Sequence, residues 1–388
     1  MRVLLVASAL SFAAAASRAA YVVADASAPT GVRAAEGAKP ANALAWGTYD
    51  AAALNATGWG LLTIAASLTE PNATLAAYAA GFLEGWLTVA EIETNARNTG
   101  SDAKNGKRLQ KFIDDNWSWM TAQVAAHASA DPYWAHVGTV VAQLAGMSDG
   151  QAAAGGRQTW AQLYQGLLNG GDMFNLGDLY GLSEEQERRT PALARSKASA
   201  AAPAGTRNDH CSAMVRLTPG AADIVVTHAT WAGYESMGRM LKRYDLAFPS
   251  ISGAAVPGRY TALSAFPGGM QYSSDDFYVL SSGLVSLETT IDNGNLTLAQ
   301  QYASTQVRGG FGARRCVKRE WSHPLLLLFS FFRSSSSGCA TSSPTGLPPT
   351  ARAGRRPFPS LHLAHIPING WSSIRISLCQ ARRRRTAR

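Results

Sequence analysis

The chain is poor in cysteine, has almost no acid in its C-terminal part, and contains no apolar run long enough to cross a bilayer. Each shortage removes a class of protein. There are four cysteines in 388 residues, and three of them, Cys316, Cys339 and Cys379, come after Val307; a lone Cys211 cannot staple the rest, so a disulfide scaffold is excluded. No Cys/His cluster has metal-site spacing and no glycine-rich loop has the pattern of a phosphate cradle, so neither a metal nor a nucleotide cofactor is indicated. The two apolar stretches, Val3 to Ala16 and Leu325 to Phe332, fall short of the ~20 residues of a membrane-spanning helix. No internal repeat is evident.

The net charge of +9 invites a nucleic-acid reading, which the position of the charge removes. Up to Val307 there are 20 Lys and Arg against 25 Asp and Glu; from Arg308 onward there are 15 against Glu320 alone. The basic character belongs to the tail, and no nucleic-acid partner is expected.

Residues 1–20 read as a secretory signal peptide: Arg2 supplies the positive charge, an apolar run follows, and small residues surround Ser17. Four N-x-Ser/Thr sequons, at Asn55, Asn72, Asn116 and Asn295, agree with a glycoprotein of the secretory pathway, bound for a lysosome or vacuole or for the outside of the cell. Residues 41–182 are expected to be mainly helical after an opening strand, a turn and a second strand over Trp46 to Leu68. Phe82, Leu83, Trp86 and Ala90 share one face of a helix, with Glu84, Glu91 and Glu93 elsewhere around it. Further helices run from Asp114 to Ala128 and from Pro132 to Leu144, with their tryptophans in the core.

Residues 183–210 are rich in Ala, Arg, Glu and Pro and read as a solvated linker. From Cys211 to residue 307 the period changes to that of strands. CSAMVRLT alternates and ADIVVTHATW reads as a buried strand. Tyr234 to Tyr244 reads as a short helix, with Met237, Met240, Leu241 and Tyr244 on one side. YTALSAF, closed by a Pro267-Gly268-Gly269 turn, and FYVLSSGLVSLETTI read as two further strands. Helices followed by strands imply a layered α+β domain. The tail, residues 308–388, mixes Ser/Pro stretches with arginine blocks and is expected to be disordered, as translated non-coding sequence; a basic tail for anionic membranes is the other reading.

Cys211 is the residue that asks for an explanation. One reading is a small buried hydrophobe. The other follows from its place, directly after a cleavable linker and at the start of a strand: a cut after His210 gives Cys211 a free α-amine. One residue then supplies both a thiol nucleophile and a base with a pKa of about 7.7 to 8.0. Asp275 and Asp276 read as caps of a turn rather than a catalytic pair.

DNWSWM, DPYWAHVGTVVAQLAGMSDG, DMFNLGDLYGL, HCSAMVRL, THATWAGYESMGRMLKRYD and SSDDFYVLSSGLVSLETTI together resemble the phospholipase B-like family of N-terminal nucleophile hydrolases, collinearly from Ala41 to Tyr302. The resemblance implies an αββα four-layer sandwich, C-terminally incomplete here, and a precursor that cleaves itself between His210 and Cys211. It implies an acyl hydrolase that acts on ester or amide bonds of phospholipids or other acyl substrates. The family nucleophile falls on Cys211, and the family His and Trp fall on His228, which orients the nucleophile, and Trp231, which walls the acyl pocket; Thr289 is a further pocket residue. Two departures stand out: Thr227 and Ala229 replace residues common in the family motif, and the family strands beyond Tyr302 have no counterpart. The rival reading is a non-catalytic, truncated secreted glycoprotein of the same family, and the 388-residue chain is expected to be poorly soluble and inactive.

Overall fold

The computed structural model describes residues 17–67, 72–168, 172–189, 211–246, 248, 258–273, 277–287, 289, 361–368 and 371–379. Its spine is a mixed ten-stranded sheet. The N-terminal strands are β1 (Ser17–Ala24), β2 (Val32–Glu36), β3 (Ala45–Asp50) and β4 (Trp59–Ala66). The later strands are β7 (Arg239–Asp245), β8 (Tyr260–Ala265), β9 (Phe277–Leu280), β10 (Leu284–Leu287), β11 (Leu361–Ile368) and β12 (Trp371–Cys379). Their spatial order is β11-β12-β10-β9-β8-β7-β4-β3-β1-β2. Neighbours are antiparallel except β4 and β7, which run parallel and join the two halves of the chain, with Leu62 opposite Lys242 and Ile64 opposite Tyr244. A separate two-stranded sheet holds β5 (Cys211–Leu217) and β6 (Ile224–Thr230).

Helices cover one face of the large sheet. α1 (Ala51–Thr57) links β3 to β4. α2 (Ala73–Leu87) lies on β1, β3 and β4, and α5 (Pro132–Ala153) lies on α2. Around them are α3 (Val89–Thr99), α4 (Lys107–His127), α6 (Trp160–Leu168), α7 (Asp172–Tyr180) and α8 (Glu184–Arg189). Side chains cap the starts of α2 and α5: Asn72 Oδ1 accepts from the backbone N–H groups of Thr74 and Leu75, and Asp131 accepts from Tyr133 with Pro132 behind it.

Sandwiched between sheet and α5, α2 is buried nearly all round, which is why its pattern is apolar with small residues rather than a stripe. Gly81 and Gly85 of α2 meet Gly146 and Gly150 of α5. A Cβ at Gly81 would run into the Gln143 carbonyl, at Gly85 the Met147 carbonyl, at Gly146 the Tyr78 carbonyl and at Gly150 the Phe82 carbonyl. Only hydrogen fits at these four positions, so the helix backbones touch directly. Trp117, Trp160 and Tyr164 stack beside this pair, and Trp134 is buried, so these tryptophans are core residues as expected.

The most enclosed polar group is Glu84. It is fully buried on α2, where the sequence reading set it apart from the apolar face. Lys242 Nζ donates to its Oε1 at 2.8 Å and to the Met270 carbonyl at 3.3 Å, while the Tyr244 hydroxyl donates to its Oε2 at 2.7 Å. Both carboxylate oxygens are satisfied, and the ammonium has a partner of opposite charge.

This contact corrects the expected helix over Tyr234 to Tyr244. A single 3-10 turn at Tyr234–Ser236 is followed by β7, in which Met240, Lys242 and Tyr244 alternate inward and Leu241 and Arg243 outward. The helical spacing of Met237, Met240, Leu241 and Tyr244 loses to a partner 158 residues away in the chain. The expected single strand FYVLSSGLVSLETTI is instead the hairpin β9–β10, turned at Gly283 with φ of 85°.

Other boundaries move as well. β1 takes in Ser17 to Ala20, which the leader reading assigned to residues 1–20, because Ala20 and Val22 are core residues paired to β2 and β3; residues 1–16 lie outside the described residues. The fold thus begins ahead of residue 41, and the turn between β3 and β4 is α1. The linker begins later than 183: α8 is anchored by Gln186, which is buried and donates to Asn105 Oδ1 at 2.6 Å. Within the tail that was expected to be disordered, β11 pairs with β12 and β12 pairs with β10. β6 is half-exposed along its length rather than buried.

Two stability predictions follow from the core. Glu84→Gln alone should destabilise by about 3–5 kcal/mol, because it strands the Lys242 charge, whereas Glu84→Leu with Lys242→Met should recover most of that loss; denaturant unfolding of the three proteins measures it. Burial, helped by Glu84 for Tyr244, Asp149 for Tyr78 and Glu91 for Tyr49, holds these phenols well above the ordinary value of 10. Above about pH 10 the unfolded chain therefore loses protons that the folded chain keeps, and stability falls. Lys242, pushed down by burial against the pull of Glu84, acts in the opposite direction only up to its ordinary value of 10.5. Unfolding midpoints measured from pH 8 to 12 should decline beyond that value, with a further step of tyrosinate absorbance, that of the buried phenols, appearing on unfolding.

Candidate active site

Cys211 is the first residue of β5, and the register of β5 with β6 decides what stands near it. Cys211 pairs with Thr230, and Ala213 pairs with His228. Cross-strand partners project to the same side of a sheet, as do residues two apart along a strand. Cys211, Ala213, His228 and Thr230 therefore share one face, with His228 the diagonal neighbour of Cys211. The Thr230 hydroxyl lies 3.3 Å from His228 Nδ1, which fixes the imidazole against its own strand. Val215, Ile224 and Val226 continue this half-buried face, while Ser212, Met214 and Arg216 lie on the exposed one. Cys211 is half-buried and takes part in no disulfide among the described residues.

The two principal site residues, Cys211 and His228, are thus brought together. Thr230 was not singled out from the sequence, although its place two residues after His228 on an alternating strand is a signal for it. The other expected site residues are placed differently. Trp231, one residue beyond β6, is 59% exposed. Thr289 follows β10 on the large sheet, a different sheet from the one that carries Cys211. His210, Asp275, Asp276 and Asn295 lie outside the described residues.

The sequons divide by burial. Asn55 in α1 and Asn72 at the start of α2 are exposed. Asn116 is 4% exposed and accepts a hydrogen bond from the Tyr164 hydroxyl at 2.8 Å. A side chain so enclosed has no room for a glycan, and that expectation is corrected. Among the described residues no group of three His, Cys, Asp or Glu could hold a metal ion, and no helix is long and apolar enough to cross a membrane.

Cys211 and His228 are thus diagonal neighbours across the hairpin, a separation of about 7–8 Å for such pairs. The family model for phospholipase B matches residues 45–319. The chain belongs to the phospholipase B-like family. It is 33% identical over 272 residues to the human protein named putative phospholipase B-like 2, covering 66% of this chain and 43% of that protein. It is 31% identical over 253 residues to phospholipase B-like protein A of Dictyostelium discoideum, covering 62% and 44%. To phospholipase-B 81 of Drysdalia coronoides it is 32% identical over 270 residues, covering 67% and 47%. The chain thus spans less than half the length of these phospholipase B-like relatives.

If the chain is secreted from a glycosylating host, Asn116 should carry no glycan while Asn55 and Asn72 remain open to one. Peptide mass spectrometry after enzymatic deglycosylation in heavy-oxygen water reads the occupancy of each site, and label at Asn116 would contradict its burial.

Proposed function

We propose that this phospholipase B-like chain carries the nucleophile-bearing part of a lipid hydrolase that cleaves acyl ester bonds, with Cys211 as an N-terminal nucleophile. The observation that supports the reading is the shared face of Cys211, His228 and Thr230 on a hairpin that opens directly after the linker. In the maturation step Cys211 Sγ attacks the His210 carbonyl carbon, the peptide bond shifts to a thioester, and water releases the upstream segment as a carboxylate. Cys211 is left with a free amine. In catalysis the amine takes the thiol proton, the thiolate adds to the substrate carbonyl, and the alcohol leaves with that proton. Water then hydrolyses the thioester. His228 is a positioning residue that orients the thiol and amine from one position along the sheet, and Thr230 holds its ring.

The layering that goes with this reading is the four-layer αββα sandwich. The large sheet leaves Leu61, Leu241 and Val279 exposed on the face opposite α2, and a second sheet would stack there. Secretion, a lysosomal or vacuolar address and activity on the acid side of neutrality belong to the same reading.

Expression, through a secretory host, of the sequence continued to the full length of its relatives, with intact-mass measurement and N-terminal sequencing, tests the first step. A fragment beginning at Cys211 is expected, and Cys211→Ala should give a single uncut chain; two fragments from that variant would mean that an outside protease cuts the linker. In a processed, active preparation His228→Ala should lower turnover by about 10² to 10⁴, the range for groups that assist proton transfer, with the cut at Cys211 measured separately. An unchanged rate would leave His228 a structural residue.

A further inference from the structure

The glycine ahead of α4 is not one that the fold requires. Gly106 has ordinary dihedrals, φ −60° and ψ 149°, at a helix-start position that Ser, Asp or Asn fill better. A Cβ there would meet only the Gly181 carbonyl oxygen at 3.6 Å and the Ser183 nitrogen at 3.9 Å, both normal contacts. Glycine does, however, make the residue before it reactive, because a backbone nitrogen with no side chain beside it can reach the preceding Asn side chain. That residue is Asn105, half-buried in a segment, 104–106, that is neither helix nor strand. It is the middle member of a directional series of hydrogen bonds. Gln186 Nε2 donates to Asn105 Oδ1 at 2.6 Å, Asn105 Nδ2 donates to Gln110 Oε1 at 2.8 Å, and Gln110 Nε2 donates to Asp114 Oδ1 at 2.9 Å. The same segment ties down α8. Ser183 and Gln186 form a capping box, with Ser183 N–H donating to Gln186 Oε1 at 2.9 Å and Gln186 N–H to Ser183 Oγ at 3.2 Å. Ser183 Oγ in turn donates to the Lys104 carbonyl at 2.7 Å. Lys104 N–H donates to the Glu185 carboxylate at 3.4 Å. The last described element before Cys211 is thus held through residues 104 and 105.

We infer that Asn105 is a modification site, at which the Asn side chain converts spontaneously to aspartate and isoaspartate and thereby releases α8. Base removes the Gly106 amide proton, the nitrogen bonds to Asn105 Cγ, and the side-chain nitrogen leaves as ammonia with that proton. Water then opens the five-membered imide. Breaking the new N–Cγ bond gives aspartate; breaking the original peptide bond gives isoaspartate, with the main chain running through the former side chain. The Gln186 amide is placed to assist, since its hydrogen bond to Asn105 Oδ1 stabilises the charge that gathers on that oxygen as Cγ is attacked. Either product offers only acceptors where Nδ2 stood as a donor. Gln110 cannot make good the loss by turning its amide over, because its Nε2 would then leave Asp114 and its Oε1 would face the Asp114 carboxylate. One bond of the series is lost in either orientation. Isoaspartate also adds a backbone carbon between Lys104 and Gly106, which displaces the Lys104 carbonyl and N–H from Ser183 and Glu185. Release of α8 moves the upstream attachment of the linker back toward α7.

The test uses the full-length preparation described above, aged under native conditions at neutral and at mildly alkaline pH and mapped peptide by peptide by mass spectrometry. The peptide that holds residue 105 should gain one dalton, and part of it should accept a methyl group from isoaspartyl methyltransferase. Conversion should be several-fold faster at the higher pH, because the amide proton has to leave first. Gly106→Ala, for which both the dihedrals and the space allow, should slow it at least tenfold while circular dichroism shows the fold kept. Asn105→Asp should raise deuterium uptake by the α8 amides at least fivefold and leave α5 unchanged. An unmodified Asn105 after ageing, or an equal rate in Gly106→Ala, would overturn the modification site. Equal protection of α8 in Asn105→Asp and the parent would overturn the release.

Discussion

Between α2 and β7 a carboxylate, an ammonium and a phenol occupy one enclosed space, and the arrangement of the large sheet follows from their meeting. Glu84 reaches Lys242 and Tyr244, two inward residues of the same strand, and Lys242 also reaches the Met270 carbonyl in the turn beyond β8. A slip of β7 by one residue would put Leu241 and Arg243 under α2 and turn Lys242 and Tyr244, the two partners of Glu84, to the other face. Burial of an unpaired charge costs several kcal/mol, so the pair selects one register even where its net contribution to stability is small. β7 is in turn the strand through which the C-terminal strands join the N-terminal ones, by its parallel pairing with β4.

The glycines of α2 and α5 make that meeting possible. With a Cβ at Gly81, Gly85, Gly146 or Gly150 the two helices would separate, and α2 would no longer lie flat between α5 and the sheet. Backbone-to-backbone contact recovers dispersion over the whole crossing. It also holds α2 at the depth where the Glu84 side chain meets the sheet. Packing and electrostatics here are one constraint: the close approach of two helices sets the reach of one carboxylate.

The candidate site is built on different terms. The hairpin β5–β6 forms its own sheet, half-exposed on one face and exposed on the other. Its geometry comes from local pairing, since a register set by a short connection brings Cys211 diagonal to His228 without help from the core. That is why Cys211 could be singled out from its place after the linker and Thr230 was within reach of the same reasoning, whereas His228 came from the family resemblance. Asn116 is the converse case, since the sequon describes three residues while the Tyr164 hydroxyl that encloses it arrives from another helix.

By itself the amino-acid sequence determined what depends on neighbours along the chain. It set helices over Asp114 to Ala128 and Pro132 to Leu144, the alternation of β5, the strand β8, the cysteine at a linker's end, and the motifs that carry the family resemblance. Tertiary structure alone decided that MLKRYD is a strand, that FYVLSSGLVSL folds into a hairpin, that Glu84 is a core residue, and that segments beyond residue 360 pair with β10. For MLKRYD, Glu84 and the segments beyond residue 360 the choice falls to a partner far along the chain, whereas the hairpin is decided by its own turn at Gly283. A carboxylate 158 residues from its lysine leaves no periodicity in the sequence around either one.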